Sequence, residues 1–279
     1  MPHPALSPNN VAVITGGASG IGLAAAMRFA RLGMKVCIAD LDPSRLAEAE
    51  TRISSVAPGG AADIMMATVD VSRIDDVSEF ETAVRERFGG ADILMNNAGI
   101  QPGSEIFGSL QDWRRVIGVN LWGVIHGSHI FAPGMIERGR PGLIINTGSK
   151  QGITTPPGDP AYNVSKAGVK AFTEALQHEL RNAAGSQISA HLLIPGFVFT
   201  GLTAKGRTEK PAGAWTPEQP STLWWNEWRP GISTSCARIT TCREASTSAG
   251  FCGRRATSSK TAPRCRVGIR ITLRLLRPL

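Results

Sequence analysis

V-A-V-I-T-G-G-A-S-G-I-G, Val11 to Gly22, is the stretch on which the fold turns. Val11 to Thr15 is short, apolar and β-branched, and predicts a buried strand. Gly16, Gly20 and Gly22 follow with the spacing G-x-x-x-G-x-G. Ile21, Leu23, Ala24, Ala26, Met27, Ala30 and Leu32 then recur at helical spacing until Gly33 stops them. Strand, glycine turn and helix in that order gather backbone N–H groups at a helix start, where a pyrophosphate can come close. A plain glycine turn is the common alternative. The strand before, the helix after and an acid downstream favour the nucleotide reading.

Residues 35–39 predict a second strand ending in Asp40. A carboxylate there can accept hydrogen bonds from adenosine ribose hydroxyls and repels a 2′-phosphate. No basic residue stands at Ala18 or Ser19, and Leu41 follows Asp40, so NAD is favoured over NADP. The alternative is that Asp40 caps the next helix, at 43–56. Residues 62–69 read as a third strand, leading to Asp70 and Val71; Asp70 reads either as a partner of the adenine amino group or as a helix cap. Ile74 to Phe88 is amphipathic and Gly89-Gly90 ends it. Residues 92–95 read as a fourth strand running into N-N-A-G, where Asn97, Ala98 and Gly99 leave room for a cofactor and the Asn96 amide can tie strand ends together. The steady alternation predicts an α/β domain with a Rossmann-like, doubly wound parallel sheet in three layers, α/β/α. Ligands of such sheets bind beyond the carboxyl ends of the strands.

The chemistry concentrates in S-K-Q-G-I-T-T-P-P-G-D-P-A-Y-N-V-S-K, residues 149–166. Tyr162 and Lys166 are four apart, one helical turn on one face. Ser149 follows the apolar run 143–145, which reads as a strand. A free tyrosine has a pKa of about 10, too high for a base at neutral pH. A nearby ammonium favours the phenolate, which can exchange a proton with an alcohol or carbonyl oxygen while a hydride moves at the carbon. The serine hydroxyl can hold that same oxygen. Tyr-x-x-x-Lys alone is more often an ordinary surface pair. Here Tyr162 is the only tyrosine in the chain and a nucleotide signature stands upstream.

Residues 113–131 read as one long helix carrying Asn120. His126 and His129 on it lack a third ligand and read as packing, so no metal is expected. Val169, Phe172, Leu176 and Leu180 form an apolar face that fits core or interface. Residues 188–194 read as a strand, followed by P-G-F-V-F-T and by a mobile substrate loop at 201–219.

Taken in order, TGGASGIG, Asp40, Asp70, NNAG, Asn120, Ser149, Tyr162-x-x-x-Lys166 and Pro195-Gly196 resemble the short-chain dehydrogenase/reductase family over about residues 10–219. The resemblance implies that Tyr162 is the acid/base and that Lys166 lowers its pKa and binds the nicotinamide ribose. Ser149 would orient substrate, and Asn120 would help hold a relay water. It implies cofactor contacts at Gly16, Ser19, Gly20, Ile21 and Gly22, at Asp40, Leu41, Asp70 and Val71, and at Asn97, Ala98 and Gly99. Pro195, Gly196, Val198 and Thr200 complete them, the last two at the carboxamide. Ile100, Gln101, Gln151, Phe197 and Leu202 are candidate pocket residues, with Trp215 beside them. The implied activity is NAD-dependent interconversion of a small secondary alcohol and its ketone, by a homodimer or homotetramer that needs neither membrane nor nucleic acid.

Composition sets bounds. A chain of 279 residues, 42 % apolar, can bury a full core. No apolar run is long enough to span a bilayer, and the first ten residues lack the core of a secretion signal, so a cytoplasmic protein is expected. The net charge of +8 is lopsided: residues 220–279 hold eleven Lys/Arg and two Asp/Glu, leaving nineteen and twenty to residues 1–219. Cys236, Cys242, Cys252 and Cys265 also fall in the tail, without a C-x-x-C, which argues against zinc; Cys37 reads as a small core hydrophobe. Read literally, 220–279 is a basic arm, and the alternative function is an NAD-sensing regulator that binds nucleic acid through it. We read the tail instead as out-of-frame translation. One permitted codon choice for 220–236, shifted by two bases, encodes VDFMVERMAAGDFYIL, a helix then a strand; residues 263–271 can likewise give ALSRWHPDY. A base lost near the Gln219 codon suffices, and resequencing codons 215–225 decides it. On that reading the domain is 1–219, the sheet lacks its last strand, the exposed edge invites aggregation, and the product of the damaged gene is inactive or folds poorly.

Overall fold

Alternating side chains along each strand point to opposite faces, so a run of consecutive apolar residues needs a cover on both sides. The strands of this chain are such runs, and the computed structural model covers them on both sides. It describes residues 3–204 and 206–220, and the backbone of 239–241. The strands are β1 (Val11–Thr15), β2 (Lys35–Asp40), β3 (Ile64–Thr68), β4 (Ile93–Asn96), β5 (Gly142–Thr147), β6 (Ile188–Ile194) and β7 (Ile239–Thr241). They form one parallel sheet in the order β3-β2-β1-β4-β5-β6-β7. Val13 lies opposite Cys37 and Leu94, and Ile14 opposite Ile38 and Met95.

Ala12, Ile14, Val36, Ile38, Ile93, Met95 and Ile145 share one core. Into it pack Leu23, Ala26 and Phe29 of α1 (Gly20–Arg31) and Leu46, Ala49 and Ile53 of α2 (Pro43–Ser54). Val11, Val13, Cys37, Leu94 and Ile144 face the other way. They meet Val77, Phe80 and Val84 of α3 (Ile74–Phe88) and Phe131 and Met135 of α5 (Gly123–Glu137). Burial pushes the Cys37 thiol up to about 12, as for a packed hydrophobe. The domain is therefore the three-layered, doubly wound sheet that the sequence predicts.

The chain order reverses between β1 and β4, which opens a crevice at the carboxyl ends of the strands. Two expectations change. The single helix read at 113–131 is α4 (Leu110–Ile117) and α5 joined by a π-helical turn, Gly118–Trp122, with Asn120 inside it. Such turns gather at functional sites because the extra residue re-aims side chains. At the other end of the sheet, where the sequence reading leaves an open edge, β7 runs parallel to β6 with Leu193 opposite Thr240. The segment Ile239–Thr241 is wholly β-branched, the composition that suits a strand. The remaining tail readings lie outside the described residues.

α6 (Gln151–Thr154) and α7 (Pro160–Asn182) follow β5, and α8 (Gly201–Ala204) follows β6. Val169 and Leu180 of α7 are buried, and Phe172 and Leu176 pack against the same cores, so that apolar face belongs to the interior. Among the described residues no helix is long and apolar enough to cross a membrane.

Candidate active site

The glycine loop closes tightly on the start of α1. Gly16 and Gly20 adopt φ of +62° and +54°, left-handed values that favour glycine. A Cβ on Gly22 would lie 2.2 Å from the Gly16 carbonyl oxygen and 2.6 Å from Asn97 Nδ2. The loop is pinned across the switch point: Asn97 Nδ2 donates to the Gly16 carbonyl at 3.0 Å. Thr15 Oγ1 accepts from the N–H groups of Asn97 and Ala98 at 3.0 and 3.2 Å. Ser19, the N-cap, makes no side-chain cap bond, and the first turn of α1 holds no acid. Its N–H groups and positive helix end are thus left to the crevice.

Asp40 ends β2 beside this loop. Its carboxylate accepts from the N–H groups of Ala18 (3.2 Å), Leu41 (2.9 Å) and Asp42 (3.4 Å). Capping of α2 falls to Asp42, which accepts from Ser44 and Arg45, so the capping alternative for Asp40 drops out. Asp70 turns inward on its own loop, accepting from the Ser72 N–H and hydroxyl at 2.9 and 2.7 Å. Asn96 is a tie: its amide donates to Asn146 Oδ1 and Ser128 Oγ at 2.9 and 3.1 Å, and Asn146 donates to Thr173. One buried network thus joins β4, β5, α5 and α7. His126 Nδ1 donates to the Val71 carbonyl at 2.9 Å, and His129 is exposed.

Asn120 is fully buried, and its amide clamps Ile100. Oδ1 accepts from the Ile100 N–H at 2.8 Å, and Nδ2 donates to the Ile100 carbonyl at 2.9 Å and to Ser165 Oγ at 3.3 Å. The side chain is therefore a strut for the pocket wall.

At the end of β5, Ser149 Oγ accepts from the Gln151 N–H at 3.2 Å and shares the wall of one cleft with Tyr162. Lys166 Nζ donates to the Thr147 carbonyl at 2.8 Å and lies 5.7 Å from the centre of the Tyr162 ring. Both side chains are buried. Burial raises the phenol above its ordinary value; the Ser149 hydroxyl opposes this and the Asp159 carboxylate adds to it. Burial pulls the Lys166 ammonium down to about 8. Burial is the largest cause of the phenol's rise, and the ammonium's short contact is a carbonyl.

One cleft of about 850 Å³ connects these parts. It is lined by the glycine loop from Gly16 to Ile21, by Asp40, Leu41, Asp70 and Val71, by residues 97–101, and by Ser149, Gln151, Tyr162, Lys166, Pro195–Val198, Thr200 and Leu202. Gly22 and Asn120 stand behind the wall. Trp215 does not line it; its backbone pairs with Phe197 and Phe199 and holds that loop. Arg45, Lys150 and Thr203 also line the cleft, and the sequence reading missed them. Arg45 had a signal, since the N-cap at Asp42 points the first turn of α2 toward the crevice. At the Ser149 end the walls combine Ile100, Phe197 and Leu202 with the amides of Gln101 and Gln151, 3.5 Å apart.

The profile for short chain dehydrogenase matches residues 10–211. A 3-oxoacyl-[acyl-carrier-protein] reductase of Thermotoga maritima is 36 % identical over 196 residues, 70 % of this chain and 76 % of that one. A short chain dehydrogenase/reductase of Burkholderia phymatum, solved in complex with NAD, is 34 % identical with a TM-score of 0.67, covering 82 % of this chain and 83 % of its own. The L-sorbose reductase of Gluconobacter frateurii, solved with NADPH and L-sorbose, is 25 % identical with a TM-score of 0.74, covering 85 % and 96 %. The switch-point cleft, the glycine loop and the Ser149–Tyr162–Lys166 cluster thus sit in a chain that belongs to the short-chain dehydrogenase/reductase family of oxidoreductases.

Proposed function

We propose that the protein interconverts a secondary alcohol and its ketone with a nicotinamide dinucleotide, NAD in preference to NADP. The observation that carries this reading is Tyr162 beside Lys166, with Ser149, in the same cleft as the glycine loop and Asp40. The residues fit the dinucleotide: a cradle that a single Cβ on Gly22 would fill stands at a helix start, and an acid ends β2. The glycine loop would hold the pyrophosphate and Asp40 the adenosine ribose. When bound, the nicotinamide supplies or accepts the hydride.

The rest falls to side chains. Ser149 holds the substrate oxygen. Tyr162 removes the proton from that oxygen in oxidation and returns it in reduction. Lys166, with a pKa near 8, carries its proton at neutral pH and favours the ionised phenol. Oxidation needs the phenol deprotonated, so its rate rises with pH; reduction needs it protonated and falls over the same range. A panel of cyclohexanol, 2-butanol and butane-2,3-diol with NAD, followed at 340 nm across pH, tests the reading. No NADH from any of them, and no reduction of the matching ketones, overturns it.

Two binding results are expected. Asp40→Ser shifts the ratio of NAD to NADP affinity toward NADP by about ten-fold or more, because the carboxylate's repulsion of a 2′-phosphate is gone; an unchanged ratio removes Asp40 from cofactor choice. Gly22→Ala weakens NADH binding by about ten-fold or more, because the new methyl group meets backbone that cannot swing aside as a side chain can. Fluorescence titration reads both.

A further inference from the structure

Asp159 lies outside the cleft lining, yet it is buried, at 7 % exposure, three residues before Tyr162. It is the N-cap of α7. Its Oδ1 accepts from the Tyr162 N–H at 3.4 Å and from the Ser104 hydroxyl at 2.6 Å. Ser104 Oγ in turn accepts from the Ala161 N–H at 2.9 Å. Its Oδ2 is buried with no hydrogen-bond partner among the described residues. An ordinary cap needs neither burial nor a link to a second loop.

That second loop forms the substrate wall. Ile100 and Gln101 line the cleft. Asn120 clamps the loop at Ile100, Trp113 Nε1 donates to the Glu105 carbonyl at 2.9 Å, and between them the loop is tied to α7 through Ser104. Ile100 and Trp113 pack on the cluster of Val116, Ala161 and Tyr162. The charged groups around the phenol are Asp159 and Lys166 on its own helix and Lys150 lining the cleft. α4 offers Val116 and Trp113, and the loop offers Ile100, none of them charged.

We propose that Asp159 is a positioning residue for the reaction. Its carboxylate straps the wall carrying Ile100 and Gln101 to the first turn of the catalytic helix. The catalytic part rests on the function proposed above. The strap stands apart from it, on the Ser104 and α7 contacts. The same carboxylate has a second, charge role: it opposes ionisation of the phenol.

Because Tyr162 is the chain's only tyrosine, phenolate absorbance at 295 nm reads its ionisation directly, with no substrate. Asp159→Asn keeps an accepting oxygen for Ser104 and the Tyr162 N–H and removes the charge. Its phenolate midpoint is expected about 0.5–1 pH unit below wild type, and the rising limb of cyclohexanol oxidation moves with it. Ser104→Ala cuts the strap and leaves the charge. Its midpoint stays put, amide hydrogen exchange in residues 99–109 speeds up about five-fold or more, and KM for the alcohol rises more than kcat falls. An unmoved or raised midpoint in Asp159→Asn overturns the charge role. Unchanged exchange in Ser104→Ala overturns the strap, and that variant decides it even if the Asn variant does not fold. If the wild type oxidises no alcohol, the proposed function fails, while the titration and the exchange still judge Asp159.

Discussion

Tyr162→Phe cuts alcohol oxidation by about 10³-fold and leaves NADH affinity within about three-fold. The substitution removes one oxygen. The ring keeps its packing with Val116 and Ala161, and the α7 cap acts on the Tyr162 backbone, so the fold has no reason to change. General acid–base catalysis contributes about 10²–10⁴-fold, and the Lys166 ammonium is turned to the Thr147 carbonyl, which leaves the hydroxyl to pass the proton to the substrate oxygen. NADH formation at 340 nm and fluorescence titration of NADH separate chemistry from binding. A variant within ten-fold of wild-type rate removes the phenol from the chemistry.

Lys166→Met has the second largest effect, with a different signature. The ammonium is buried and held at 2.8 Å from the Thr147 carbonyl. Removing it leaves that carbonyl unpaired, a cost of about 1–3 kcal/mol. It also ends the burial of a charge, which works in the opposite direction. Thermal stability is therefore expected within a few degrees of wild type. Activity falls by about 10²-fold, because the positive charge that favours the phenolate at neutral pH is gone. A variant that melts far earlier, or keeps wild-type activity, assigns Lys166 a structural role only.

The fold was legible because its strongest elements are strictly periodic. Val11–Thr15, Ile74–Phe88 and Ile188–Ile194 have the predicted bounds, each a β-branched run or an amphipathic helix with a clear stop. What stayed hidden depends on distant partners. Asp40 and Asp42 flank one turn, and only the hydrogen bonds tell cofactor acid from helix cap. Asn120 carries no local sign that its amide closes on Ile100, twenty residues away. The phenol's rise comes from burial, which no spacing of Tyr162 and Lys166 reveals. Asp159 had a local signal, an acid followed by proline at the first helical position; its link to Ser104 spans 55 residues.

The lone phenol is the proposed proton carrier at the substrate oxygen. Titrating its 295 nm absorbance in the wild-type protein saturated with NAD, alongside the pH dependence of cyclohexanol oxidation by the same sample, tests this most directly. One shared midpoint is expected, and loss of the rate limb in Tyr162→Phe. Midpoints more than one pH unit apart, or a rate limb that survives without the hydroxyl, contradict it.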